Sequence, residues 1–189
     1  MAIFITLLLT AYLAGSINFS IILFRLMGRS DPRAQFSGNP GTTNVYRQAG
    51  LFWAVLVLLL DFSRAMGVAW LAIFYLPMRL VPWVGLGLIL GNRFPCFHGF
   101  KGGKGVANYM GFFAMITGWP VIYAMVAWVT AYGLFRKPFI ASFFLILTLG
   151  SLVVRTIGLD PISTSGVAVT VIFIIANHRQ NMVELLKNK

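Results

Sequence analysis

Apolar runs recur along the whole chain, separated by short stretches that collect most of its charge. A helix needs about 20 apolar residues to cross the hydrocarbon of a bilayer, and fewer where its ends are buried in protein or the membrane thins. The runs place spans at 3–27, 51–75, 80–97, 106–118, 120–135, 139–156 and 161–177. The predicted fold class is all-α, a polytopic membrane protein of seven transmembrane helices forming a single domain over 1–189. The first run carries Gly15, Ser16, Asn18 and Ser20 with no basic leader or small-residue cleavage site, so a retained helix is expected. Gly118-Trp119-Pro120 reads either as a turn between two spans or as a kink within one.

Charge decides between those two readings. With seven spans and the amino terminus outside, the inner side holds Arg25, Arg29, Arg33, Arg47, Arg93, Lys101, Lys104, Arg136, Lys137, Arg179, Lys187 and Lys189, whereas the outer side holds only Arg79 and Arg155. Fusing 106–135 into one kinked helix strands Arg136, Lys137 and the carboxyl-terminal cations outside. Seven spans with a cytoplasmic carboxyl terminus are therefore expected.

Composition narrows the partners. At 59% hydrophobic and 10% charged, the chain has more apolar side chains than a soluble core can absorb. The net charge of +11 sits at the ends of apolar runs, where it suits anionic lipid or an anionic substrate, and no nucleic-acid groove is expected. Cys96 is alone, which excludes an intramolecular disulfide and a cysteine-cluster metal site. The four acids, Asp31, Asp61, Asp160 and Glu184, form no paired cluster in sequence, and neither metal nor cofactor is expected.

Two glycine-rich segments stand out from the hydrocarbon, Ser37-Gly38-Asn39-Pro40-Gly41-Thr42-Thr43-Asn44 and Phe100-Lys101-Gly102-Gly103-Lys104-Gly105. Glycines let backbone N–H groups turn toward one point, and hydroxyls, amides, Arg47 and Lys104 add donors or positive charge, a combination suited to phosphate. The blander readings are an Asn-Pro-Gly turn, with Thr43 or Asn44 capping the next helix, and a tight re-entrant turn whose lysines reach lipid headgroups. A nucleotide P-loop is rejected, because His98 stands where its first glycine belongs and Gly105 follows the lysine in place of Ser or Thr. The helix opened by Val106 measures roughly 20 Å against about 30 Å of hydrocarbon, so its start is expected to lie recessed, with Lys104 and the amides after Gly103 at a helix N-terminus.

Three further groups carry candidate chemistry. Asp61 and Arg64, three apart on the second span, are expected to form a structural ion pair facing the bundle interior. His178 and Asn181 begin the cytoplasmic tail beside Arg179 and matter if the tail folds over the glycine-rich loops. No Gly-x-Ser-x-Gly elbow is present, and neither His98 nor His178 has an aspartate five residues on, so positioning and electrostatics are expected to carry any reaction.

Gly15-Ser16-Ile17, the segment from Ser37 to Asn44 with Arg47, Asp61, Phe94-Pro95 leading into Gly99-Phe100-Lys101-Gly102-Gly103-Lys104-Gly105-Val106-Ala107, and His178-Arg179-Gln180-Asn181 together resemble the bacterial PlsY family. The resemblance covers nearly the whole chain in order. It implies a seven-helix acyltransferase of the bacterial inner membrane, with a cytoplasmic active site, that moves an acyl group from acyl-phosphate to glycerol-3-phosphate in phospholipid biosynthesis. It implies Lys104, His178 and Asn181 as catalytic residues. Ser37, Gly38, Asn39, Thr43, Asn44, Arg47, Gly102, Gly103 and Ser142 are implied on phosphate. Acyl-phosphate, glycerol-3-phosphate, membrane lipid and the soluble enzyme that makes acyl-phosphate are the implied partners of a monomer.

The chain departs from the family at three places, with Asn92 in place of a histidine, Arg64 in place of a lysine and Asn108 in place of a threonine. Two other readings compete with the acyltransferase: an organic-anion or phosphate transporter using the same cations, and a catalytically silent lipid-binding relative. Transporters often repeat their broken helices in both halves, and neither glycine-rich segment has a second copy.

Overall fold

A computed structural model describes residues 1–187; Lys189, assigned above to the inner side, lies outside the described residues. Ten α-helices and no strand occur among the described residues. They are α1 (Ala2–Ser16), α2 (Phe19–Leu26), α3 (Thr42–Ala49), α4 (Leu51–Tyr75), α5 (Val81–Arg93), α6 (Val106–Thr117), α7 (Val121–Phe135), α8 (Pro138–Ile157), α9 (Pro161–Asn177) and α10 (Arg179–Lys187). By length and composition α4, α8, the α1–α2 stretch and the α5 stretch are each sufficient to cross a membrane, and α9 with α10 adds a fifth candidate bent by 45°. The apolar helices α6 and α7 are shorter.

The helices lie close to the predicted runs, although α5 stops at Arg93, four residues short of the run at 80–97, and there are three further differences. The expected continuous span 3–27 is broken at Ile17-Asn18, because Asn18 adopts an extended backbone and its side-chain oxygen accepts from the Ile21 N–H at 3.2 Å, starting a new helix. Thr42–Ala49, read as loop followed by a helix capped at Thr43 or Asn44, is itself helical and begins at Gly41 without a side-chain cap. The Asn44 amide instead donates back to Pro32 O at 2.8 Å. The tail after Asn177 continues as α10 after its bend at His178. At Gly118 the chain turns, separating α6 from α7, and Pro138 and Pro161 open α8 and α9, where a missing N–H costs no helical hydrogen bond.

The core is centred on α5 and α6, where Leu88, Ile89, Tyr109, Phe112 and Phe113 are wholly buried and meet Ile146 and Leu149 of α8 and Ile174 of α9. Outward faces are apolar as well: Trp70 and Phe74 on α4, Ile122 and Val126 on α7 and Ile172 on α9 are exposed. Such a surface suits lipid, in which only the backbone needs internal hydrogen bonds. Small residues set the closest approach. A Cβ on Gly15 of α1 would overlap the Leu88 carbonyl oxygen, and one on Gly91 of α5 would overlap that of Tyr12. The two backbones therefore touch, as small residues permit in membrane helix pairs.

This contact makes a contrasting pair of substitutions. Gly91→Ala is expected to lower the thermal unfolding midpoint in detergent through overpacking of at least about 2 kcal/mol. Gly67→Ala, where a Cβ meets nothing within 4 Å, is expected to leave the midpoint unchanged or raise it. Equal midpoints for Gly91→Ala and the unsubstituted protein would contradict the packing described.

Candidate functional site

The break in the first span gathers both glycine-rich loops. Ser20 Oγ lies 2.9 Å from Pro40 O in the first loop. Ser16 Oγ accepts from Cys96 N at 3.3 Å, and Asn18 N donates to His98 Nε2 at 3.3 Å, at the entrance to the second. Ile17 O, left free where α1 stops, accepts from Arg64. Arg64 also reaches Asp61 at 2.9 Å and Asn108 Oδ1 at 2.5 Å, and its guanidinium lies 5.0 Å from the Phe19 ring centre. The Asp61–Arg64 pair is thus buried and faces the interior, and it joins α4 to α1, α2 and α6.

The two loops are also joined directly. Arg33 pairs with Asp31 at 2.6 Å and donates to the carbonyls of His98 and Lys101, both at 2.7 Å. Hydrogen bonding from Arg33 holds the Asp31 carboxyl below its ordinary pKa, so the clasp is charged at neutral pH. The second loop hangs from the end of α5, where Gly102 N donates to Arg93 O at 3.0 Å and Gly103 N to Asn92 O at 2.9 Å. Gly105 then takes φ +93°, a conformation that favours glycine, and α6 begins.

Between the loops lies a cavity of about 750 Å³. Of the residues singled out in the sequence, Ser37, Asn39, Thr43, Asn44, Arg47, Gly103, Lys104, Ser142, His178 and Asn181 line it, as does Asp61. Gly38, Gly102 and Arg64 do not. Gly102 packs against the Asn92 carbonyl and Pro95, Gly38 turns the first loop at φ +64°, and Arg64 lies behind the wall. Asn44 is 1% exposed, its amide nitrogen shared between the Pro32 and Gln35 carbonyls, so it braces the loop from within. Ser142 Oγ lies 2.9 Å from Pro138 O in the first turn of α8.

Arg136, Lys137, Asn92, Asn108 and Glu184 line the same cavity but were not singled out as site residues from sequence. For Arg136 and Lys137 the charge asymmetry carried the signal, since it put them on the side of the two loops. Asn92 was marked only by its departure from the family's histidine, and nothing in the local pattern marked Glu184.

Positive potential is concentrated here. The backbone N–H groups of Lys104, Gly105, Val106, Ala107 and Asn108 meet no acceptor among the described residues, and all five residues line the cavity at the N-terminus of α6. Free amides and the helix dipole make such an end an anion site. Lys104 donates to Asn181 Oδ1, while Asn177 Nδ2 donates to Lys104 O at 3.3 Å, which draws α10 over the cavity. Burial lowers the Lys104 pKa to about 8; the charges of Arg93 and Arg47 act in the same direction and Glu184 opposes them. His178, 2% exposed, is lowered to about 4, chiefly by burial, and is neutral at pH 7. Its Nδ1 donates to Ile174 O at 2.8 Å, which leaves Nε2 as the acceptor.

The cavity's other side is apolar. Leu58 of α4, Met125, Trp128 and Val129 of α7 and Phe139 of α8 continue it toward the bilayer. Helix α7 forms a wall that packs chiefly along α8, with only Ala124 and Ala131 buried. The arrangement suits an amphiphile with an anionic head and a hydrocarbon tail.

Comparison with known proteins gives a consistent picture. The glycerol-3-phosphate acyltransferase family matches residues 5–188. The glycerol-3-phosphate acyltransferase of Ralstonia nicotianae is 36% identical over 184 residues, covering 95% of this chain and 88% of that protein. That of Shewanella baltica is 39% identical over 187 residues, covering 96% and 89%. Among solved structures, PlsY, an integral membrane glycerol 3-phosphate acyltransferase, superposes in its glycerol 3-phosphate form with TM-score 0.89 at 32% identity, covering 98% of this chain and 92% of that one. Its lysophosphatidic acid form gives 0.87 at 30% identity, with the same coverage.

The Lys104 ammonium is charged below about pH 8 and neutral above it, so its attraction for an anion is lost as pH rises through that value. Inorganic phosphate binding, measured by calorimetry on the protein in detergent, is expected to weaken through this window. Lys104→Arg, whose guanidinium stays protonated, is expected to lack the basic limb. Identical pH dependence in both proteins would remove Lys104 from the anion site.

Proposed function

The chain belongs to the glycerol-3-phosphate acyltransferase family, and from that premise we propose that the cavity transfers an acyl group from acyl-phosphate to glycerol-3-phosphate, giving lysophosphatidic acid and inorganic phosphate. One observation carries the reading: Arg47 after the first glycine-rich loop, Lys104 of the second and the free amides at the start of α6 meet in a cavity that continues into an apolar cleft. An anionic acceptor fits the polar end, and an acyl donor spans both.

The hydroxyl oxygen of glycerol-3-phosphate attacks the acyl carbonyl carbon, forming the ester C–O bond. The bond from that carbon to the bridging phosphate oxygen breaks, and phosphate leaves with the electron pair. Because a mixed anhydride is already activated, the departing phosphate is base enough to take the hydroxyl proton. The protein's task is to bring two anions together and neutralise them. Arg47, Lys104 and the start of α6 supply that charge, with Arg136 and Lys137 at the rim, and Ser37, Asn39, Thr43 and Ser142 offer polar contacts. Neutral His178, with Nε2 as acceptor, and Asn181 orient the attacking hydroxyl. Gly102 and Gly38 shape the loops that hold these groups.

The same reading extends to the membrane. A single domain crosses seven times with the amino terminus outside, so the cavity faces the cytoplasm of a bacterial inner membrane, where a soluble enzyme supplies acyl-phosphate to a monomeric acyltransferase. The positive-inside distribution of Lys and Arg supports this orientation.

Purified protein in detergent or nanodiscs, given acyl-phosphate and glycerol-3-phosphate, is expected to release phosphate and form lysophosphatidic acid. With acyl-thioester as donor it is expected to be inactive. Lys104→Ala is expected to lower kcat/KM by roughly a hundredfold or more while the thermal unfolding midpoint is kept. Turnover with the thioester but not with acyl-phosphate would overturn the donor assignment, and inactivity of folded protein with both donors would overturn the reaction.

A further inference from the structure

Asn92 ends α5 inside the cavity wall. It is 3% exposed, yet its side-chain amide makes no hydrogen bond among the described residues, although the residue lines the cavity. Its other groups are committed, since the backbone carbonyl accepts from Gly103 N at 2.9 Å. The amide lies on the open face of Gly103, where an added Cβ would sit 2.9 Å from Oδ1 and 3.5 Å from Nδ2. Any side chain at 103 would fill the space that the amide occupies, so the glycine and the asparagine define one compartment. Beside it begin the free amides of Lys104 to Asn108.

Unlike Asn44 Oδ1, which is sealed and unpaired, the Asn92 amide atoms keep access to the cavity, so water or a ligand completes them there. Here the open side is the cavity. Charge for an anion is already present in Lys104 and Arg47, whereas a neutral amide offers what they lack, a fixed donor with no proton to lose. We propose that Asn92 is a substrate-contacting residue, its Nδ2 donating to a substrate oxygen held at the start of α6. This rests on the acyltransferase reading and deepens it, because it adds to the cationic site a contact whose strength is independent of pH.

Two substitutions test it in the acyl-phosphate assay. Asn92→Leu, of similar volume without polar atoms, is expected to lower kcat/KM by about tenfold or more with the unfolding midpoint kept. Asn92→Asp turns the donor into an anion facing an anion. It is expected to be the poorer enzyme at pH 8 and to recover relative to the unsubstituted protein as pH falls and the carboxyl regains a proton. A purely structural asparagine would change the unfolding midpoint and leave that relative pH profile flat. Folded Asn92→Leu with kcat/KM within about twofold of the unsubstituted protein overturns the proposal. If Asn92→Leu does not fold, an Asn92→Asp profile parallel to that of the unsubstituted protein overturns it equally. Inactivity of the unsubstituted protein would fail the acyltransferase reading instead. Calorimetric binding of glycerol-3-phosphate to the unsubstituted and Asn92→Asp proteins then decides the contact: weaker binding by Asn92→Asp supports it and equal binding overturns it.

Discussion

A helix that stops within a membrane leaves backbone groups that must find partners inside the protein, and the rest of this structure is organised around one such stop at Ile17-Asn18. The freed Ile17 carbonyl accepts from Arg64, which brings the buried ion pair of α4 to the break. The Asn18 N–H reaches His98, Ser16 takes the Cys96 N–H, and Ser20 meets the Pro40 carbonyl. One interruption therefore fixes an ion pair and both glycine-rich loops. The cost of non-helical backbone in an apolar setting is offset where freed groups such as the Ile17 carbonyl and the Asn18 N–H find protein partners.

The loops in turn depend on helix ends and not on their own packing. Asn92 and Arg93, the last residues of α5, hold Gly102 and Gly103 through their carbonyls, while α5 is held against α1 by glycines too small to keep the backbones apart. Arg33 then closes the distance between loops with one guanidinium and three acceptors. Rigid supports of this kind matter where the reaction asks mainly for placement, since a misplaced phosphate forfeits most of the advantage of binding. Charge is handled with the same economy. Asp61 is neutralised by Arg64, so the cavity keeps the surplus of Arg47, Lys104, Arg136 and Lys137 against Glu184 at its mouth.

Much of this was legible in sequence because the bilayer imposes a coarse rule. Apolar runs had to become helices, and α4, α6, α7, α8 and α9 lie within a residue or two of their runs. The glycine-rich segments were visible because polar backbone in an apolar chain requires a reason. The break at Ile17-Asn18 was not, since Asn18 and Ser20 sit in a run apolar enough to cross as one helix and only the tertiary partners of the freed groups make interruption favourable. Asn44 looked like a phosphate ligand because its residue type fits that role, but burial turned its amide inward to Pro32 and Gln35. Asn92 was marked only as a departure from the family, and its place in the cavity was hidden for the opposite reason. Its environment comes from Gly103, eleven positions away and brought close by a turn that periodicity does not encode.

Helix α7 bears on how such a protein meets its lipid. Its face toward the cavity is Met125, Trp128 and Val129, its opposite side is exposed, and few of its residues are anchored in the core. On the proposed acyltransferase reading, a chain-bearing donor entering past this wall would not have to leave the hydrocarbon. Encounter is then two-dimensional, governed by the donor's mole fraction in the leaflet and not by its concentration in water. Diluting the membrane with inert lipid would slow the protein as surely as diluting the donor in a test tube slows a soluble enzyme, while the water-soluble acceptor would follow ordinary bulk kinetics through the polar mouth.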